Sequence, residues 1–195
     1  MAGPPLILNR KGITMEPVRF SYRAAWLAAI VIAVGLGCGT DGENTFLRLS
    51  WEDFDQNPSS GWRPLAERKD YAGAARMIET YLDHRDDLLL AQQGYSRFHA
   101  GQLWAIHGET EKALVHFDLA TVTDMPPEFP QSFNALVTGT RSFLRNDMVA
   151  VRAARDQVAA MPGLTPRDSM FLEALDLLSR SEGLTYQEVY ALAIE

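Results

Sequence analysis

Gly101-Gln-Leu-Trp104-Ala-Ile-His-Gly108-Glu-Thr-Glu-Lys-Ala113-Leu-Val-His-Phe117-Asp-Leu-Ala120 is the stretch whose reading decides the fold. Apolar residues return at helical spacing on both sides of Gly108, which predicts two helices joined by a tight turn. Working outward, the same period predicts helices at 59–68, 71–83, 88–106, 109–122, 131–145, 147–160, 166–180 and 185–194, preceded by a short one at 50–56. Thr165-Pro166-Arg167-Asp168 supplies a capping hydroxyl, a first-turn proline and a carboxylate where a helix begins. Thr185-Tyr-Gln-Glu188 is a second capping box, set after the stop signal Gly183. Asp124-Met-Pro126-Pro127-Glu-Phe-Pro130 and Met161-Pro162-Gly163 cannot continue a helix. No stretch alternates apolar and polar residues long enough to predict a strand.

The quoted stretch resembles the tetratricopeptide helix–turn–helix repeat. The resemblance assigns Gly101 to a close helix approach, Trp104 to the large core aromatic and Gly108 to the turn. It makes Ala113 the small residue at the helix crossing, with Phe117 and Ala120 continuing the buried face. The neighbouring repeats are weaker. Ala74 in Lys69-Asp-Tyr71-Ala-Gly-Ala74 precedes Ala113 by 39 residues, and Gly139 and the Asn146-Asp147 turn follow Gly101 and Gly108 by 38. There Val151 and Arg155 stand where the repeat expects Ala and Phe. The consensus period is ~34 residues, so helices or loops are longer here. The expected fold is all-α: stacked antiparallel helical hairpins, three to four tetratricopeptide-like repeats over residues 49–195, with Thr185–Glu195 as a cap. A non-repeating helical bundle containing one repeat-like hairpin is the alternative.

The first 37 residues read as an address. Arg10, Lys11, Arg19 and Arg23 against Glu16 give this leader +3, and the rest of the chain carries 14 basic and 24 acidic residues, net −10. Residues 24–37 are uncharged, too short for the ~20 apolar residues of a permanent span but of signal-peptide length. The basic flank holds the N-terminus on the cytoplasmic side. Val34-Gly35-Leu36-Gly37-Cys38-Gly39 resembles a bacterial lipobox, with Gly37 as the small residue before the cysteine; the usual Leu three residues ahead is Gly35 here. The resemblance implies lipidation of Cys38, cleavage after residue 37, a flexible tether at 38–48 and a location in the cell envelope facing outside the cytoplasm. A cleaved secretory signal and an uncleaved anchor helix are the other readings of the same segment. Met15 is a plausible alternative start.

Composition narrows the chemistry. The chain has 195 residues, one cysteine and a net charge of −7. An acidic body lacks the basic footprint that nucleic-acid binding needs. One cysteine forms no internal disulfide. His99 and His107 lie eight residues apart, roughly 80° and 12 Å on a helix, so they cannot share a metal directly. His84 and His116 complete the set, and no zinc-ligand pattern occurs. Asp53-Phe-Asp55-Gln-Asn57-Pro58 opens like a calcium loop but has Pro58 where Gly is needed and Pro64 where a bidentate Glu is needed. No metal, no cofactor and no catalytic constellation is expected.

Binding is what remains. By the resemblance, the first helix of each hairpin lines a concave groove. That face carries Tyr95, Phe98, Gln102 and Ile106, then Phe133, Leu136, Thr140 and Phe143. Phe98, Gln102, Leu136 and Thr140 replace the Lys and Asn of carboxylate-clamping repeats, so an apolar or helical segment of an unidentified protein is the expected guest. The same side chains serve equally as core contacts to an additional helix, either the Trp51/Phe54 segment or the C-terminal cap. The expectation is a non-enzymatic, membrane-tethered envelope scaffold; the alternative is an envelope enzyme or enzyme subunit with an unrecognised helical active site.

Overall fold

A computed structural model describes residues 45–194. The leader 1–37, Cys38 and the first part of the tether lie outside the described residues. Within them the chain is all-helical, without a strand. A 3-10 turn, Thr45–Arg48, and a π-helical turn, Glu52–Gln56, lead into eight α-helices: α1 (Arg63–Glu67), α2 (Tyr71–Asp83), α3 (Leu90–His107), α4 (Thr110–Ala120), α5 (Phe133–Leu144), α6 (Met148–Ala159), α7 (Pro166–Arg180) and α8 (Tyr186–Ile194).

The boundaries follow from local chemistry. Asp70 caps α2 by accepting from the Gly73 N–H at 2.9 Å, and Asp147 caps α6 by accepting from Ala150 N–H at 3.0 Å. Both expected capping boxes form: Asp168 N–H donates to Thr165 Oγ1 at 3.2 Å, and Glu188 N–H donates to Thr185 Oγ1 at 3.3 Å. Two expected helices differ. The 50–56 segment is wound as a π turn, closed by Asn57 N–H donating to the Glu52 carbonyl. The 59–68 helix starts only at Arg63, because residues 57–61 turn tightly over the π turn. Gly61 lies at φ +58°, and a Cβ there would sit 1.9 Å from the Phe54 carbonyl oxygen.

Four left-handed residues mark a regular interval. Lys69, Gly108, Asn146 and Gly183 all have positive φ and are spaced by 39, 38 and 37 residues. Each follows α1, α3, α5 or α7, so one kind of turn recurs along the chain. Consecutive helices pack side by side from α1 through α7, and α5 also packs against α7.

Within the α3–α4 hairpin, Gly101 faces Phe117 so closely that a Cβ would lie 2.9 Å from its ring. Ala113, Phe117 and Ala120 are fully buried beside Trp104. At the matching place in α5, Gly139 makes room instead for Leu175 of α7 and Ala154 of α6. Arg155, which occupies the position of Phe117, turns to Asp156 and Asp176.

The last helix departs from the pattern. Although α8 follows a glycine turn, its main backbone contacts are with α3 rather than α7. Tyr190 meets the Tyr71 ring edge-on at 6.2 Å, Tyr186 meets Phe143 at 6.4 Å, and Gln102 Nε2 donates to Tyr186 Oη at 3.2 Å. Thus α8 folds back across the array instead of closing its end.

Candidate functional site

The first helix of every hairpin reaches one cavity. Its volume is about 170 Å3, and its wall combines Gln56 and Arg63 with Tyr95, Phe98, His99 and Gln102 of α3, Leu136 of α5, and Arg167, Met170 and Phe171 of α7. On one flank the Trp51–Trp62 segment closes it. On the other Gln102 leads to Tyr186 and α8.

The Trp51–Trp62 flank is fastened by Asp55, a carboxylate with no solvent exposure. Its Oδ1 accepts from His99 Nδ1 at 3.0 Å, from Trp62 Nε1 at 3.3 Å and from Ser96 Oγ at 3.3 Å, while Oδ2 accepts from Gln56 Nε2 at 2.5 Å. Ser96 Oγ in turn accepts from Trp51 Nε1 at 3.0 Å. Burial pushes the Asp55 carboxyl upward, but the nearby His99 and Arg63 and the Gln56 amide together hold it below its ordinary value. Asp55 is therefore an ionised hub that binds the N-terminal segment to α3. Aromatic packing reinforces it: Phe54 stacks on Tyr81 with centroids 3.7 Å apart, and Trp51 meets Tyr95 edge-on at 6.4 Å.

The expected groove residues separate into three groups. Tyr95, Phe98, Gln102 and Leu136 do come together as cavity wall. Phe133 is fully buried behind them, stacked on Tyr95 at 4.2 Å, and Thr140 is buried away from the cavity. Ile106 and Phe143 are also buried. An open aromatic stripe is not what these residues form, because both candidate covering elements, the Trp51/Phe54 segment and α8, lie over them. The expected repeat core of Gly101, Trp104, Ala113, Phe117 and Ala120 is buried, with Gly108 in the exposed turn at φ +94°. Cys38 lies outside the described residues.

Several cavity side chains carry no signal in the sequence. The calcium-loop comparison at Asp53–Asn57 and the spacing of His99 from His107 gave Asp55 and His99 no joint role. They are 44 residues apart and meet only in the fold. Arg63 donates through Nε to the Asp55 carbonyl at 2.7 Å and lies over the Trp62 ring at 4.5 Å. Burial lowers the affinity of its guanidinium for the proton, partly opposed by Asp55. Arg167 is exposed at the cavity mouth. The Tyr95 hydroxyl is buried without a hydrogen-bond partner, and burial keeps it protonated well above the ordinary tyrosine range. Periodicity carries no signal for such convergence; the nearest hint was the density of Trp and Arg around residues 51–63.

No family model matches the chain, and neither curated proteins nor solved structures give a match. Function must therefore be argued from the geometry. Among the described residues no group of three His, Cys, Asp or Glu side chains is placed to hold a metal ion. No helix among them is long and apolar enough to cross a membrane.

Proposed function

We propose that this chain is a membrane-tethered, non-enzymatic scaffold of the bacterial cell envelope, built from tetratricopeptide-like hairpins and docking an apolar helix of a partner protein. The observation that carries the reading is α8. A short helix with an apolar face of Tyr186, Val189 and Tyr190 lies across the first helices of the array, so that surface has the shape and chemistry to hold a helix. The equal spacing of the left-handed turns and the Gly101–Phe117 approach support the repeat assignment. The basic leader and Cys38 support the tether, since two or more acyl chains on one cysteine anchor stably at ~0.8 kcal/mol per buried methylene.

Photo-crosslinking in cells tests the docking side. A crosslinker at Gln102, beside α8, is expected to capture a protein that one at Val149, exposed on α6, does not. Equal capture from both positions would remove the reason for assigning the partner to this side. Cys38→Ala tests the tether: the protein should leave the membrane fraction, and unchanged retention would favour an anchor helix.

The Asp55–His99 pair gives the enzyme reading its one specific observation. His99 Nδ1 donates to a buried carboxylate while the ring borders the cavity, an arrangement that can orient a general base. The neighbouring hydroxyl, Ser96 Oγ, already donates to Asp55 and accepts from Trp51, so it is not presented as a nucleophile. Asp55 is better accounted for as the fastening of the N-terminal segment. Hydrolysis of a broad panel of esters and amides, lost in His99→Gln, would reverse this preference.

A further inference from the structure

The helix-docking surface lies under α8 and leaves the cavity beside it without a role. Two chemistries meet in its wall. Arg63 and Arg167 enter from α1 and α7; Arg63 is attracted to the buried Asp55 carboxylate, and Arg167 is exposed at the mouth. The carboxylates nearest them are already engaged: Asp55 accepts from Gln56, Trp62, Ser96 and His99, and Asp168 from Ser132 and Thr165. Tyr95 is 5% exposed and presents its ring to the same wall, while its hydroxyl is buried beside Arg167. The remaining wall is apolar: Phe98, Leu136, Met170 and Phe171.

We propose that this cavity binds a small monocarboxylate with a short apolar body, its carboxylate taken by Arg63 and Arg167. Guanidinium groups match a planar carboxylate, and charge-assisted hydrogen bonds are the stronger kind. A dianion such as phosphate fits less well, because Asp55 and Asp168 remain ionised nearby and half the wall is apolar. The volume of about 170 Å3 is well below the ~300–1,000 Å3 of sites for drug-sized ligands, which limits the apolar body to a few carbons. A peptide carrying a terminal carboxylate would need a track for its backbone, and the Trp51–Trp62 segment and α8 occupy both flanks.

Calorimetric titration of the full chain in lipid nanodiscs, with empty nanodiscs as the blank, tests this with hexanoate as the probe. Hexanoate is expected to bind with a Kd of about 1 mM or tighter, and hexanamide, of the same shape without the charge, at least about ten-fold more weakly. Arg167→Gln should weaken hexanoate by about ten-fold. It is the cleanest variant, because Arg167 is exposed. Arg63→Gln should act similarly; should it fail to fold through loss of its bond to the Asp55 carbonyl, Arg167→Gln and the comparison of hexanoate with hexanamide still decide the matter. Equal binding of hexanoate and hexanamide, or of hexanoate to the wild type and Arg167→Gln, would overturn the proposal. So would competition by inorganic phosphate as strong as by hexanoate, or tighter binding of a leucine-terminated tetrapeptide with a free carboxylate. None of these outcomes bears on helix docking, which the crosslinking pattern decides separately.

Discussion

Two elements cover the inner side of the helical array, and they are held by different physics. The Trp51–Trp62 segment is fastened by a buried ionised carboxylate with four side-chain donors, and by the Phe54–Tyr81 stack. The helix α8 is held by apolar contact, two edge-on ring pairs and a side-chain hydrogen bond from Gln102. Removing the first leaves polar groups stranded in the interior, whereas removing the second uncovers mainly rings. The difference teaches that one cover is tied by buried polar bonds and the other mainly by apolar contact. Apolar contact of this kind is what the partner helix proposed above would have to replace.

The largest expected effect breaks the fastened side. Asp55→Ala strands His99, Trp62 and Ser96 together and should cost about 3–5 kcal/mol, read as a fall in the denaturant midpoint. A loss below about 1 kcal/mol would place the N-terminal segment on the same footing as α8. Next, Ala113→Trp overpacks the α3–α4 crossing on which both covers rest and should cost about 1–3 kcal/mol. An unchanged melting temperature would mean that the crossing lies elsewhere. Smaller still is Tyr186→Phe, which removes the bond from Gln102 to α8 and should cost about 0.5–1.5 kcal/mol. Hydrogen exchange sharpens the same contrast: amides of α8 should exchange well before those of α3, and equal protection would contradict a more weakly held α8.

The last prediction is a pH dependence with two steps. Burial lowers the proton affinity of His116 below its ordinary 6.5, although Glu79 Oε1, 2.8 Å from His116 Nε2, opposes the shift. A depressed folded value means that the unfolded chain binds the proton first. Stability should therefore be full above pH 6.5 and decline as the pH falls through the lower folded value. Asp55 is depressed below 3.8, so its contribution holds above that pH and is lost only in stronger acid. His116→Gln should erase the upper step and keep the lower one. Persistence of the upper step in that variant would assign it to another group.

How much of this was legible beforehand depends on whether a feature is local. Helix starts marked by Thr165 and Thr185 were readable, because a cap is a bond across three residues; the Asp70 and Asp147 caps obey the same rule. The α3–α4 hairpin was readable because Gly101 and Phe117 meet across a short turn. The α5–α6 hairpin was faint for a physical reason: Gly139 accepts Leu175 from α7, so its partner lies outside the repeat in which it was sought. Tyr95, Phe98, Gln102 and Leu136, expected on one face, line one cavity, whereas Phe133 and Thr140 of the same expectation are buried away from it, and what covers that face could not be read from their spacing.

The sequence by itself determined most of the helices from Tyr71 onward, the Thr165 and Thr185 caps and the turn interval, since each rests on neighbours within a few residues. Tertiary structure alone decided that Asp55 would be buried against His99, that α8 would cross to α3, and that Arg63 and Arg167 would share one cavity. Those outcomes depend on contacts between residues 44 to more than 100 positions apart, and their energy comes from excluding water between surfaces that have no common periodicity.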